Sequence, residues 1–429
     1  MGFWRSEERG KRAFYLNPTH HPFNVLFPCG KKGHRWLFIN ADYKHYESTH
    51  TSHIPKIILT LSLFFLFLLL FLISFPVGKE REKEDIRYKT KITKKETIHM
   101  KVAILGATGA VGQQMIKVLG ERNFPITELR LLASGRSAGS YMDTPFGKIQ
   151  IQEACESAFE GLDIVLGAAE NDIAMKFAPA IKAAGAVFVD NSSAFRMDPE
   201  VPLVIPEINA ADALNHKGII SNPNCSTIIT LVAVNAINKL SPIKAMVAST
   251  YQAVSGAGAG GPIELEAQIN AIAKGEPVEC KVFKHQIAYN LIPEIGGANA
   301  EGYTSEEMKM QNEGRKIMHL PQLNVTCTCV RVPVIRSHSI SATVITEREL
   351  SVEEVRAAIA AAPGCKLVDD MANHLYPMPL DTSDQDIVFV GRIRKDLAIP
   401  GALALWCSGD QVRKGAATNA VQIAELLIK

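Results

Sequence analysis

A short apolar run at 101–105 leads straight into Gly106-Ala107-Thr108-Gly109-Ala110-Val111-Gly112, and an amphipathic stretch, 113–119, follows at once. Strand, glycine turn and helix in that order leave unpaired backbone N–H groups at the start of the helix, where a pyrophosphate can sit. Glycine motifs alone say little. Here both flanking elements are present, so the stretch is predicted to bind a dinucleotide. Further apolar strand runs at 129–133, 163–168 and 187–189, with a helix-like segment at 172–184, extend the alternation. Strands and helices alternating at this length imply an α/β fold with a doubly wound parallel sheet.

The second strand ends in Ser134-Gly135-Arg136-Ser137-Ala138-Gly139, without the acidic residue that NAD-binding sheets keep there for the ribose hydroxyls. Arg136 and Ser137 instead suit a 2′-phosphate, so NADP (NADPH) is the predicted cofactor. A later strand runs into Asp190-Asn191-Ser192-Ser193-Ala194-Phe195-Arg196, a polar loop at the carboxyl end of a strand. Ligands of such sheets bind at these ends, and Arg196 is a candidate for holding an anion.

Ser221-Asn222-Pro223-Asn224-Cys225-Ser226-Thr227 then delivers a cysteine to the start of an apolar, periodic run, 228–240. The first turn of a helix offers unpaired N–H groups and the positive end of the macrodipole, which stabilise a thiolate. Cys225 is therefore a candidate nucleophile. A strand at 246–250 continues into a glycine-rich loop that begins at Tyr251-Gln252 and contains Ser255 and Gly256. Gln252 can hydrogen-bond a carbonyl or carboxylate there. A helix from Ser305 to about Leu320 carries Glu306 and Lys309, whose spacing of three, taken alone, reads as a surface ion pair. An alternating strand at 324–334 leads to Arg336, Ser337 and His338. Arg331 is a planar donor suited to a carboxylate, and His338 titrates in the range a general acid/base needs. The chain closes with strands at 388–394 and 403–408, Gly409-Asp410-Gln411, and a helix over 415–428 expected to return to the first half.

The 429 residues suffice for two domains and an extra segment, and a net charge of +2 gives no general attraction to nucleic acid. Eight scattered cysteines form no disulfide framework or zinc pattern, so no metal is expected and a reducing compartment fits. Cys327 and Cys329 share one face of a strand and read as packing. The uncharged run at 57–77 is long enough to cross a bilayer and is followed by a Lys/Glu-rich stretch, 79–96. Met100 reads as the natural start of a protein. Residues 1–99 are accordingly expected to be a mis-assigned start or a disordered tethering appendage outside catalysis.

GATGAVG at 106–112, NPNCST at 222–227, QAVSGAG at 252–258, EEMK at 306–309, RVPVIRSH at 331–338 and GDQVRKGAATN at 409–419 together resemble the aspartate-β-semialdehyde dehydrogenase family over 100–429. The resemblance implies a Rossmann-type NADP-binding domain (100–225, completed by 409–429). It also implies an α+β catalytic and dimerisation domain (226–408), as in glyceraldehyde-phosphate dehydrogenase. It implies a cytoplasmic homodimer or homotetramer that reduces aspartyl phosphate to aspartate semialdehyde on the route to lysine, methionine and threonine. Cys225 would be the nucleophile and His338 the acid/base. Gln252, Arg331 and Glu306 would hold the substrate, and Arg196 and Lys309 the phosphate, which reverses the spacing-based reading of Glu306 and Lys309. Thr108, Gly109, Ala110, Val111, Arg136, Ser137, Ser255, Gly256 and Gln411 would contact NADP. Alternatives are an N-acetylglutamyl-phosphate reductase-like enzyme, whose relatives place Gly-Cys-Tyr at the nucleophile, or a membrane-anchored scaffold without activity.

Overall fold

The computed structural model describes residues 25–28, 36–39 and 99–428. The chain divides into two units, Met1–Thr93 and Lys94–Lys429. In the first, β1 (Val25–Pro28) pairs antiparallel with β2 (Trp36–Ile39). The expected span at 57–77 lies outside the described residues. Among the described residues no helix is long and apolar enough to cross a membrane.

The second unit begins with β3 (Met100–Leu105), α1 (Ala110–Glu121), β4 (Ile126–Ala133), β5 (Tyr141–Thr144) and β6 (Gly147–Glu153). It continues through β7 (Ile164–Gly167), α2 (Asn171–Ala183), β8 (Val187–Asp190) and β9 (Ile219–Ser221). These seven strands form one sheet in the order β5-β6-β4-β3-β7-β8-β9, parallel apart from the β5–β6 hairpin. Progression reverses at β3, which lies between β4 and β7, so the carboxyl ends of β3 and β7 open the crevice where such sheets bind ligands. Gly112 allows α1 to pack tightly on the turn, since a Cβ there would lie 2.3 Å from the Gly106 carbonyl oxygen. The β5–β6 hairpin was not foreseen. It forms an edge with few buried side chains, so it carries no apolar alternation to detect.

Next come α3 (Cys225–Leu240), β10 (Ile243–Gln252), α4 (Gly260–Lys274), α5 (Ser305–Ile317), β11 (Asn324–Arg331) and β12 (His338–Thr346). The remainder is α6 (Val352–Ala361), β13 (Cys365–Leu367), β14 (Val388–Lys395), β15 (Leu403–Gly409) and α7 (Thr418–Leu426). The second sheet runs β11-β10-β12-β15-β14-β13 and is mixed. α3 is apolar on all sides because it is buried, packed with Met310, Ile317 and Val355 against β10, β12, β14 and β15. Cys327 and Cys329 face this core.

The last helix returns as expected. Ala420, Val421, Ile423 and Ala424 of α7 share a core with Val102, Ile104, Met115 and Leu119 of the first sheet and α1. A π-helical turn, Arg413–Ala417, precedes α7 and buries Lys414 completely. Its ammonium donates to both Glu207 oxygens (2.8 and 2.7 Å), Asn419 Oδ1 (2.9 Å) and Gln422 Oε1 (2.7 Å). Losing one partner of a buried ion pair leaves the other charge uncompensated. Lys414→Met is therefore expected to destabilise the protein by about 3–5 kcal/mol in denaturant unfolding.

Candidate active site

Three strand ends and one helix start converge on the cleft. Parallel β10 and β11 end together with Gln252 beside Arg331. Antiparallel β12 begins beside them, with Ser339 opposite Tyr251, so His338 enters at the same edge. α3 points its first residue, Cys225, at this edge, and Cys225 Sγ lies 3.4 Å from His338 Nε2.

The N-cap of α3 is Asn224, whose Oδ1 accepts from the Thr227 N–H at 3.2 Å. Its Nδ2 donates to Glu306 Oε1 at 2.9 Å. The same Glu306 oxygen accepts from Gln252 Nε2 at 3.1 Å, and Oε2 accepts from Lys309 Nζ at 2.9 Å. Glu306 and Lys309 are thus bonded, but Glu306 is buried in the cleft and is no surface pair. Burial works against the Glu306 charge, yet the Lys309 ammonium and these donors outweigh it and hold its carboxyl down to about 2.

His338 is fully buried, and its Nδ1 accepts from the Ala253 N–H at 3.1 Å. A backbone N–H cannot accept, so the neutral ring carries its proton on Nε2 and meets the sulfur as a donor. Burial, and then the neighbouring Arg331 charge, push His338 down to about 3. The expected titration near neutrality is therefore corrected: His338 is a neutral donor in the free protein. Ser337 precedes it at φ 72°, a costly conformation for a residue with a side chain. It is held by Gln411, whose Oε1 accepts the Ser337 N–H at 2.8 Å and whose Nε2 donates to the Ser255 hydroxyl.

The thiol also departs from expectation. Burial, followed by the Glu306 charge, pushes Cys225 up to about 11, against the opposing Lys309, Arg196 and Arg331 charges. The helix start alone does not make a thiolate in the free protein. Arg331 donates to the Ala253 carbonyl at 2.7 Å, and burial lowers its pKa. Gly256 must be small here, because a Cβ would lie 2.8 Å from Arg331 Nη1 and 3.1 Å from His338 Cε1.

A cleft of about 500 Å³ joins these groups to the glycine turn. Its lining includes Gly109, Ala110, Val111, Arg196, Cys225, Gln252, Ser255, Gly256, Glu306, Lys309, Arg331 and Gln411. Thr108, Arg136 and Ser137 do not line it. Arg136 is exposed on the turn after β4, and Thr108 is exposed beside α1. Glu313 was missed by sequence reasoning: its carboxylate joins Arg196 (3.0 Å) to the Asn224 N–H (2.7 Å). A signal existed, since Glu313 follows Glu306 by two helical turns on one face of α5.

The parallel sheet and the cleft running to a half-buried thiol define a nucleotide-dependent oxidoreductase. Residues 101–216 match the model of the semialdehyde dehydrogenase NAD-binding domain, and residues 234–414 match that of the semialdehyde dehydrogenase dimerisation domain. The aspartate-semialdehyde dehydrogenase of Synechocystis sp. is 50% identical over 330 residues, covering 77% of this chain and 98% of that protein. That of Bacillus subtilis is 47% identical over 336 residues, covering 76% and 97%. The crystal structure of aspartate semialdehyde dehydrogenase II from Vibrio cholerae complexed with ASA superposes with a TM-score of 0.75 at 42% identity, over 77% of this chain and 98% of that one. The chain belongs to the aspartate-semialdehyde dehydrogenase family.

The raised thiol pKa has a direct readout. A thiolate forms as pH rises, so alkylation of Cys225 by iodoacetamide in the free protein should increase about tenfold per pH unit across pH 7–10. A plateau above pH 8 would show that the helix start outweighs burial.

Proposed function

We propose that the protein reduces L-aspartyl 4-phosphate to L-aspartate 4-semialdehyde with NADPH, through a thioester on Cys225. The observation that carries this reading is the placing of a sulfur 3.4 Å from a fixed Nε2–H donor, in one cleft with Arg196 and Lys309. Family membership and the ASA complex of the Vibrio cholerae relative support the substrate.

The cofactor fits the residues present. Gly109 caps α1 with no side-chain hydrogen bond, which leaves the N–H groups of the first turn free for a pyrophosphate. Ala110 and Val111 supply that turn, Thr108 flanks it, and Ser255, Gly256 and Gln411 border the cleft toward the thiol. Arg136 and Ser137, after β4, would receive the 2′-phosphate. NADPH, when bound, supplies the hydride.

Arg331, Gln252 and Glu306 would fix the substrate, with Arg331 on its carboxylate. The Cys225 sulfur attacks the acyl carbon, the bond to the phosphate oxygen breaks, and the thiol proton leaves on the phosphate. Arg196 and Lys309 offset the charge gathering on that group. Once the thioester is reduced the C–S bond breaks to release the aldehyde, and the departing thiolate would take the His338 Nε2–H hydrogen bond while a proton from solvent restores the thiol. We assign 100–225 with 409–429 to cofactor binding and 226–408 to catalysis and dimerisation, in a cytoplasmic homodimer or a homotetramer built from such dimers.

The purified protein should reduce NADP with aspartate semialdehyde and inorganic phosphate as co-substrates, and Cys225→Ala should lose at least about a thousandfold of that activity. Full activity in Cys225→Ala would end the covalent reading, and a preference for N-acetylglutamate semialdehyde would redirect it. Arg136→Ala should raise KM for NADP about tenfold while leaving KM for NAD unchanged. An equal rise for both would show that Arg136 does not read the 2′-phosphate.

A further inference from the structure

We infer that Glu313 is a positioning residue that sets the phosphate-binding cation in register with the nucleophile, an inference that rests on the roles proposed above for Arg196 and Cys225. Glu313 is 2% exposed on α5. Its Oε1 accepts from Arg196 Nη1 at 3.0 Å, and its Oε2 accepts from the Asn224 N–H at 2.7 Å. Asn224 immediately precedes Cys225 and caps its helix. One carboxylate therefore holds both the group that receives the leaving phosphate and the peptide that opens the nucleophile's helix.

A neutral amide could not replace it. Both partners are donors, each bonded to its own carboxylate oxygen, whereas an amide would turn an N–H group toward one of them. The rest of Arg196 is fixed by the same logic: Nε donates to the Asn222 carbonyl at 3.0 Å and Nη2 to the Asn191 carbonyl at 2.8 Å. A guanidinium has about five N–H groups, so these three bonds orient the fork and still leave donors for a ligand. One turn further along α5, Lys316 Nζ donates to the carbonyl oxygens of Arg196 (2.8 Å), Asp198 (2.6 Å) and Val201 (2.7 Å). The loop carrying Arg196 is thus anchored to the helix that carries Glu306, Lys309 and Glu313. Phosphate must arrive and depart along the line of the reacting bond, and a misplacement of about 1 Å can cost roughly a hundredfold in rate.

The test uses the phosphate-dependent reduction of NADP by aspartate semialdehyde. Glu313→Gln keeps the size but faces one of the two donors with its own N–H. KM for phosphate is expected to rise about tenfold or more, with KM for NADP close to wild type and the thermal midpoint lowered, because the buried Arg196 loses its counter-charge. In a double-mutant cycle the effect of Glu313→Gln on kcat/KM for phosphate should largely vanish in an Arg196→Ala background, because Glu313 acts through Arg196. Additive effects in the cycle, or a KM for phosphate within about twofold of wild type, would overturn the inference. Wild-type enzyme that reduces NADP without needing phosphate would instead sink the functional reading, before any variant is made. If Glu313→Gln does not fold, Glu313→Asp, which keeps the charge but shortens its reach, takes its place with the same readouts and the same overturning results.

Discussion

The Glu306 carboxylate is the buried charge on which the site depends. It takes hydrogen bonds from the cap of the nucleophile's helix (Asn224), from the end of β10 (Gln252) and from Lys309 on its own helix. Separate elements are therefore tied to one point. A buried carboxylate is tolerated only when its acceptor positions are filled. Filling them is what brings Gln252, Asn224 and Lys309 to the same place.

That arrangement also governs the sulfur. Glu306 adds to burial in holding the thiol protonated, while Lys309, Arg196 and Arg331 pull the other way. With His338 neutral and Cys225 a thiol, the free cleft avoids an uncompensated ion pair between them. A substrate with a phosphate and a carboxylate would engage Arg196, Lys309 and Arg331 directly. In the mechanism proposed above, phosphate would be the natural acceptor of the thiol proton, because the leaving trianion would be far more basic than imidazole. On that proposal the sulfur need not be charged until its reaction partner is present.

Much of this was legible in the chain. The glycine turn, the parallel strands and the cysteine at a helix start each follow from local spacing, and β3, α1, β7, β8 and α3 stand where the pattern placed them. What spacing could not supply was convergence. Glu306 and Lys309 read as a surface pair because nothing local reveals that α5 lies against the cap of α3; only the family resemblance reversed that reading. α4 was not foreseen, because it begins with Gly260 and Gly261 and so continues what read as a glycine-rich loop. His338 kept its ordinary titration range in the sequence because neither its full burial nor its Ala253 partner, remote in the chain, can be read from local spacing.

The short connection between the two sheets explains why a thiol can serve a nucleotide site at all. β9 is the last strand of the first sheet, and only Asn222, Pro223 and Asn224 separate it from Cys225, whose helix lies in the core of the second. Asn222 locks this link: its Nδ2 donates to Asn191 Oδ1 at 2.6 Å, and its Oδ1 accepts from Asn419 Nδ2 at 2.7 Å. The loop after β8, the link after β9 and the returning C-terminal segment are thus joined at one fully buried side chain. These bonds tie the strand ends of the first sheet to the link that opens the Cys225 helix. A cofactor held by the first sheet would therefore be oriented toward the Cys225 sulfur by the same link, and transfer over a short gap requires such orientation.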